Sequence, residues 1–541
     1  MSEEKRKAYD VIIIGGGVTG TGTARDCAMR GLKVLLVERF DFATGATGRN
    51  HGLLHSGSRY AVTDNESARE CIKENKVLRK IASHCVDVHD GLFVTLPEDD
   101  LNFQSIFVDA CLKADIKAEV IDPKLARFLE PSVNPRLIGA VRVPDGSVDP
   151  FRLTMANALD AKRHGADLLT QNEVLEIIKD KASVVGIKVI DHYTGQKNSY
   201  YGAITVNAGG IWGHHIAEMA GINVNMFPAK GSLLIFGHRI NKMVLNRCRK
   251  PSDADILVPG DTISVIGTTS SRVPYDEIDH MSVTKEEVDL LIREGEKLAP
   301  SLATTRVLRA YAGVRPLVAA DNDPSGRNIS RGIVLLDHEK RDGVSGFITI
   351  TGGKLMTYRL MAEWTTDLIG KKLNNHKKCK TDKKPLPGSD KDDPKVKELT
   401  TKIYSGHSMA MKNAERRHGS LTGLIPMGDK YDDSLVCECE GVSVGEVRYA
   451  IKELHVKGLV DLRRRTRLGM GTCQGELCGC RAASFLCQQH GGASKAKDDL
   501  ANFLQERWKG MYPVAWGETL NEIQFTSWIY EGIYGLHALN N

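Results

Sequence analysis

The chain has 541 residues, 41 % hydrophobic and 26 % charged, with a formal net charge of +5. That is ordinary for a globular protein of two to four domains. So small a positive excess, with no basic motif interleaved with aromatics, argues against nucleic-acid binding. No apolar run approaches about eighteen residues, so no transmembrane helix is expected. The opening M-S-E-E-K-R-K-A-Y-D runs straight into a strand and leaves no room for a signal peptide. The expectation is a cytoplasmic protein whose cysteines are reduced or metal-bound.

Val11–Ile14 is a short apolar run, read as a buried parallel strand. Gly15, Gly16 and Gly17 follow, and Gly20 completes G-x-G-x-x-G. Thr21–Arg30 has helical character and stops at Gly31, a C-cap signal. Val34–Val37 is a second strand with Glu38 at its end. A strand, a glycine turn, a helix, a second strand and a terminal acid make a dinucleotide-binding unit. Gly15 permits the tight turn, Gly17 lets the backbone approach a pyrophosphate, and Gly20 lets helix and strand pack closely. The helix N-terminus offers N–H groups to the phosphates, and Glu38 can accept from ribose hydroxyls. FAD and NAD share this device; a unit so near the N-terminus of a long chain favours FAD.

Helical and strand-like patterns alternate up to about Leu373, which points to an α/β fold. Two strands carry glycines at their ends. Ala203–Asn207 leads into A-G-G-I-W, with Ala208, Gly209 and Trp212. Gly346–Thr351 leads into G-G-K-L-M-T-Y-R, with Gly352, Gly353 and Lys354. Both suit a close backbone approach to the dinucleotide. The expected division is an oxidoreductase domain over 1–372, a polar linker over 373–433, a cysteine module over 434–490 and a tail over 491–541. The linker reads as a solvated tether. The tail carries Trp508, Trp516 and Trp528; it suits either docking to a partner or packing on its own flavin domain.

Four of the twelve cysteines form two tight pairs, C-x-C at Cys437 and Cys439 and C-x4-C at Cys473 and Cys478. Four thiolates this close can hold an iron–sulfur cluster. Zinc also takes four thiolates, although C-x2-C is its more usual spacing. Cys480, in C-G-C, offers a substitute ligand. The glycines of G-M-G-T-C-Q-G let backbone N–H groups approach the sulfurs.

The N-terminal unit, A-T-G-A-T-G-R-N-H-G-L-L-H-S-G-S-R-Y, P-A-K-G-S-L-L, Y-A-G-V-R-P-L-V and T-G-G-K-L-M-T-Y-R together resemble the flavin-dependent glycerol-3-phosphate dehydrogenases. They cover most of residues 8–370. The cysteine spacing resembles the [2Fe–2S] domains related to bacterioferritin-associated ferredoxin, in which all four cysteines ligate the cluster. With both parts, the chain resembles the large catalytic chains of the anaerobic branch of the dehydrogenases. The resemblance implies an FAD-binding Rossmann-like domain with an interleaved mixed-sheet substrate domain and a small helical [2Fe–2S] module. It implies Arg39, Thr44 and Thr47 as further cofactor contacts. It implies oxidation of glycerol 3-phosphate, two further subunits, and delivery of electrons to the membrane quinone pool, with the chain peripheral on the inner face of the membrane.

A dianionic substrate needs fixed cations. Arg59, Arg315, Arg331 and Lys354 lie within the family motifs, with Tyr60 beside Arg59. His55 is the candidate base, and Arg315 and Lys354 the candidate stabilisers of a developing alkoxide. The aerobic branch tends to carry histidine after K-G-S, where this chain has Leu233, so no catalytic histidine stands there. Two other readings remain open: an amino-acid or 2-hydroxyacid dehydrogenase of the same flavin fold, or a non-catalytic electron-transfer subunit.

Overall fold

The computed structural model describes residues 8–318, 332–390, 409–490 and 492–536. Arg331 and residues 391–408 lie outside them.

Strand β1 (Ala8–Ile14) sits between two parallel neighbours, β2 (Val34–Val37) and β3 (Lys197–Asn207). Covered on both faces, Val11, Ile12 and Ile13 are fully buried, which is why this strand is continuously apolar. Helix α1 (Val18–Met29) crosses over from β1 to β2 and packs on α2 (Pro150–Arg163). Helix α2 starts where Asp149 accepts from the Phe151 and Arg152 amides and Pro150 pre-sets the first turn. A second sheet is built on the long antiparallel pair β4 (Met226–Phe236) and β5 (Val307–Val318). Strand β6 (Phe347–Gly352) then returns to the first sheet beside β3, and α3 (Tyr358–Leu373) packs on α1. The chain thus crosses between the sheets, giving the expected α/β fold with interleaved parts.

The expected tether is partly packed. Leu386 is fully buried and its amide bonds to the Ile81 carbonyl at 2.7 Å. Buried Arg25, on α1, donates to the carbonyls of Thr381 and Lys384. Charge and proline suggested a solvated run; a guanidinium from the domain interior instead satisfies its backbone. Residues after 408 belong with the cysteine module. Arg417 and His418, ending α4 (Met409–His418), both bond the buried carboxylate of Glu446.

In that module β7 (Leu435–Cys437) and β8 (Val442–Ser443) form a small hairpin. Helices α5 (Val444–Glu453), α6 (Leu459–Thr466) and α7 (Cys478–His490) follow. Its apolar residues Val436, Leu462 and Leu486 share one core with Val11, Phe42 and Met155 of the flavin-type domain. Buried Asp41, just past β2, accepts from Arg464 at 2.9 Å and Arg465 at 2.5 Å. Burial alone would raise the Asp41 pKa, but Arg465 and Arg464 hold it below the usual carboxylate range. Its contribution to stability is therefore present at neutral pH, above the unfolded value of about 4, and is lost as pH falls through the lower folded value. Removing one partner of a buried pair costs roughly 3–5 kcal/mol. Asp41→Ala is expected to loosen module docking at pH 7, read as faster limited proteolysis between residues 391 and 434. Wild-type docking should survive pH 5 and weaken well below about 4. Unchanged proteolysis of the variant would show that the apolar contacts suffice.

The tail packs on both parts. Helix α8 (Ala493–Met511) lies against α7 and β5. Val514 is fully buried in the main core, and Thr519, on α9 (Gly517–Ser527), donates to the Val307 carbonyl. The Tyr530 hydroxyl donates to the carbonyl of Glu476, inside the cysteine loop. Trp508, Trp516 and Trp528 are nevertheless each more than 40 % exposed. Packing and an exposed aromatic face coexist in this segment. No described helix is long and apolar enough to cross a membrane.

Candidate functional site

A cavity of about 1180 Å³ opens between the two sheets, above the glycine turn that ends β1. Gly15, Gly17, Glu38, Arg39, Thr44, Thr47, Ala208, Gly209, Trp212, Gly352 and Gly353 all line it. They come from the ends of β1, β2, β3 and β6, the carboxyl edge of the sheet where open α/β folds bind ligands. The first turn of α1 has no side-chain cap and no acidic residue. The Val18 amide donates to Thr47 Oγ1, and the helix N-terminus brings a partial positive charge to the cavity, which suits a pyrophosphate.

Gly16 and Gly20 are not among the residues that line the cavity. The Gly16 amide is used internally, donating to Glu38 Oε2 at 2.6 Å. Gly20 packs against the Gly15 carbonyl, and a Cβ there would collide with it. Glu38 also accepts from the Phe40 amide at 2.9 Å, so two backbone bonds fix its orientation. Arg39 lies 5.2 Å from the Trp212 ring centre, and both side chains bond Asp279.

Several cations line the same cavity. Arg59, Arg315 and Lys354 line the same cavity as His55 and Tyr60. His55 is only 7 % exposed, with its ring 5.4 Å from that of Tyr60. Lys354 Nζ sits 4.5 Å from the Tyr60 ring centre. Arg59 is steadied by Asp255 and the Ser252 carbonyl. Arg315 donates to Thr268 Oγ1 at 2.5 Å and to the carbonyls of Lys230 and Thr269. Leu233 is buried in β4 and does not line the cavity. Sequence reasoning missed His51, Arg249 and Lys250, which also line it. His51 lies inside the N-H-G-L-L-H run; R-C-R-K at 247–250 is a legible basic cluster at the end of a strand.

The four cysteines converge from β7 (Cys437), the turn after it (Cys439), the glycine-rich loop before α7 (Cys473) and the start of α7 (Cys478). Cys439 Sγ lies 3.5 Å from Cys473 Sγ. The Cys437 sulfur contacts those of Cys439 and Cys478. No three of the four sulfurs lie within 4.8 Å of one another. One tetrahedral zinc would bring all of them to roughly 3.8 Å separations. Thiolates paired in this chain, Cys478 to Cys437 to Cys439 to Cys473, suit a two-iron cluster. Backbone N–H groups of Gly469 and Gly475 point at sulfurs of the set, as the glycine-rich loop suggested. Gly471 is required by close approach, because a Cβ there would strike Cys439 Cβ. Cys480 is half-buried and packs against the same apolar core that Cys437 and Cys478 join. Cys439 is exposed, whereas Cys437 and Cys478 are buried.

The family model for FAD dependent oxidoreductases matches residues 10–359, and that for BFD-like [2Fe-2S] binding domains matches residues 435–486. The A-subunit of the anaerobic glycerol-3-phosphate dehydrogenase from Escherichia coli K12 is 62 % identical over 539 residues, covering 99 % of this chain and 98 % of that one. Its counterpart from Haemophilus influenzae is 61 % identical over 529 residues, covering 98 % and 93 %. This chain belongs to the anaerobic glycerol-3-phosphate dehydrogenase A-subunit family. The glycerol-3-phosphate dehydrogenase of Bacillus halodurans, solved with FAD, superposes with a TM-score of 0.71 at 22 % identity, covering 94 % of this chain and 95 % of that one. At that identity the likeness concerns the fold. As a member of this family, the chain combines an FAD-dependent oxidoreductase domain with a [2Fe–2S] domain.

If Glu38 holds the ribose, Glu38→Ala should retain the fold and substrate choice but bind FAD about 10-fold or more weakly, the loss of a charge-assisted hydrogen bond. Flavin content after extensive dialysis is the measurement. Full retention would remove Glu38 from the ribose contacts.

Proposed function

We propose that this chain oxidises sn-glycerol 3-phosphate to dihydroxyacetone phosphate. The observation that carries the reading is that Arg59, Arg249, Arg315 and Lys354 line the same cavity as the glycine turns at Gly15, Gly17, Gly352 and Gly353. FAD, when bound, supplies the hydride acceptor for substrate C2. The pyrophosphate would rest on the N-terminal turn of α1, the ribose on Glu38, and the flavin ring near Gly352 and Gly353. Arg59 and Lys354 would hold the substrate phosphate, joined by Arg331 as the sequence implies. Arg315 would stabilise the alkoxide developing on the C2 oxygen. His55 would take the hydroxyl proton, a role its enclosed position beside Tyr60 supports. Leu233 leaves no histidine on β4 for that task.

Electrons would leave through the [2Fe–2S] centre held by Cys437, Cys439, Cys473 and Cys478. The exposed Cys439 edge would face two partner subunits, and through them the quinone pool, with the chain peripheral on the inner face of the membrane. The test is anaerobic mixing of the FAD-loaded protein with glycerol 3-phosphate while recording flavin absorbance. Bleaching by glycerol 3-phosphate, and not by glycine, proline or lactate, is expected. Bleaching by an amino acid or a 2-hydroxyacid alone would establish one of the rival dehydrogenase readings. No bleaching by any of them would favour an electron-transfer role.

A further inference from the structure

A second cavity, of about 1210 Å³, lies between the flavin domain and the cysteine module. It shares Thr44, Arg49, Asn50 and His51 with the first cavity, and its far wall includes Arg463 and Met470 of the module and Arg507 of α8. Ten arginine and lysine side chains line it against five carboxylates. Several of these cations are answered: Arg152 by Asp149 and Asp261, Arg239 by Asp87, Arg464 by Asp41, and Arg467 by Glu440. Arg309 and Arg463 share one main carboxylate neighbour, Glu506, which Arg49 also approaches together with Asp279.

Arg463 is 8 % exposed and Arg507 3 %. Among the described residues, Arg463 Nε, Arg309 Nε and both Nη atoms of Arg507 have no hydrogen-bond partner. Burial and mutual repulsion push Arg463 well below its usual range. Arginine does not shed its proton in proteins, so the charges stay and require an anion. Arg507 also neighbours Cys473 and Cys478, so thiolates answer part of its charge. No cluster cysteine is among the main electrostatic neighbours of Arg309 and Arg463. The wall also carries aromatic and apolar side chains, among them Phe151, Tyr311, Met281 and Val265.

We propose that this cavity is a second ligand site that takes an organic phosphate of mononucleotide size. Guanidiniums at Arg309 and Arg463 match the bidentate geometry of a phosphate monoester. Inorganic phosphate would leave most of the volume empty, whereas a ring system meets Phe151, Tyr311 and the methionines. The site is independent of the substrate assignment above.

The test is calorimetric titration of the full-length, FAD-loaded chain with AMP, with glycerol 3-phosphate in excess and oxygen excluded. One AMP per chain should bind, adenosine should not, and inorganic phosphate should compete weakly. Arg463→Gln and Arg309→Gln should each weaken AMP at least tenfold with FAD content unchanged. If Arg463→Gln does not fold, Arg463→Lys keeps the charge without the fork and should still weaken AMP. Absence of saturable binding by both AMP and phosphate would overturn the proposal. So would AMP binding that survives the arginine variants, or that glycerol 3-phosphate displaces.

Discussion

Arg315→Ala is expected to slow flavin reduction by glycerol 3-phosphate about 100-fold or more, the effect of removing one group that stabilises developing charge. Flavin content and thermal stability should change little. Arg315 projects from β5 beneath Gly231 of β4, and a Cβ at Gly231 would meet its guanidinium. Its hydrogen bonds to Thr268, Thr269 and Lys230 aim the guanidinium across the cavity mouth. Those bonds also make Arg315 a brace for the 268–270 loop, so Arg315→Lys is the informative partner variant. A lysine retains charge but not the planar fork. Partial recovery with Lys would identify charge as the main contribution; none would identify geometry. Stopped-flow absorbance under anaerobic conditions measures both. Wild-type bleaching by Arg315→Ala would remove this residue from the active site.

Cys439→Ser should abolish the [2Fe–2S] signal while leaving flavin reduction by substrate intact. Serine is a poor ligand for iron compared with a soft thiolate. Cys439 stands between Cys437 and Cys473 in the line of sulfur contacts, so its loss divides the set. Cys480, two residues after Cys478, is the residue that could substitute, so Cys439→Ser is compared with the Cys439→Ser/Cys480→Ser double variant. The variant should therefore bleach its flavin with glycerol 3-phosphate yet pass electrons poorly to its partners. Electron paramagnetic resonance after dithionite reports the cluster, and stopped-flow absorbance reports the flavin. A normal resonance signal would exclude Cys439 as a required ligand. Normal quinone-linked turnover without a cluster would show that electrons leave the flavin by another path.

The two redox parts were legible from sequence because each is written in consecutive residues. The β1–α1–β2 unit needs an apolar strand, glycines where backbone meets backbone, and an acid at the next strand end. The C-x-C and C-x4-C pairs likewise declare themselves through spacing and a glycine-rich loop. These are local demands on backbone conformation and ligand type, and few other uses produce the same pattern. Arg59, Arg315 and Lys354 could be placed together only through family motifs, since nothing in their own spacing brings them to one cavity.

Tertiary structure decided what depends on distant partners. The register of β4 on β5 aims Arg315, and a loop almost two hundred residues after Arg59 adds Arg249 and Lys250. Residues 381–389 looked like a tether because they are charged and proline-bearing, yet Arg25 satisfies their carbonyls from within the domain. Nothing near Asp41 in the sequence marks its role, because its partners Arg464 and Arg465 lie more than four hundred residues later. That Arg309 and Arg463 have Glu506 as their shared carboxylate neighbour was invisible for the same reason. A sequence shows that an arginine is present, whereas whether burial leaves it without a counter-charge is settled by what the fold packs around it.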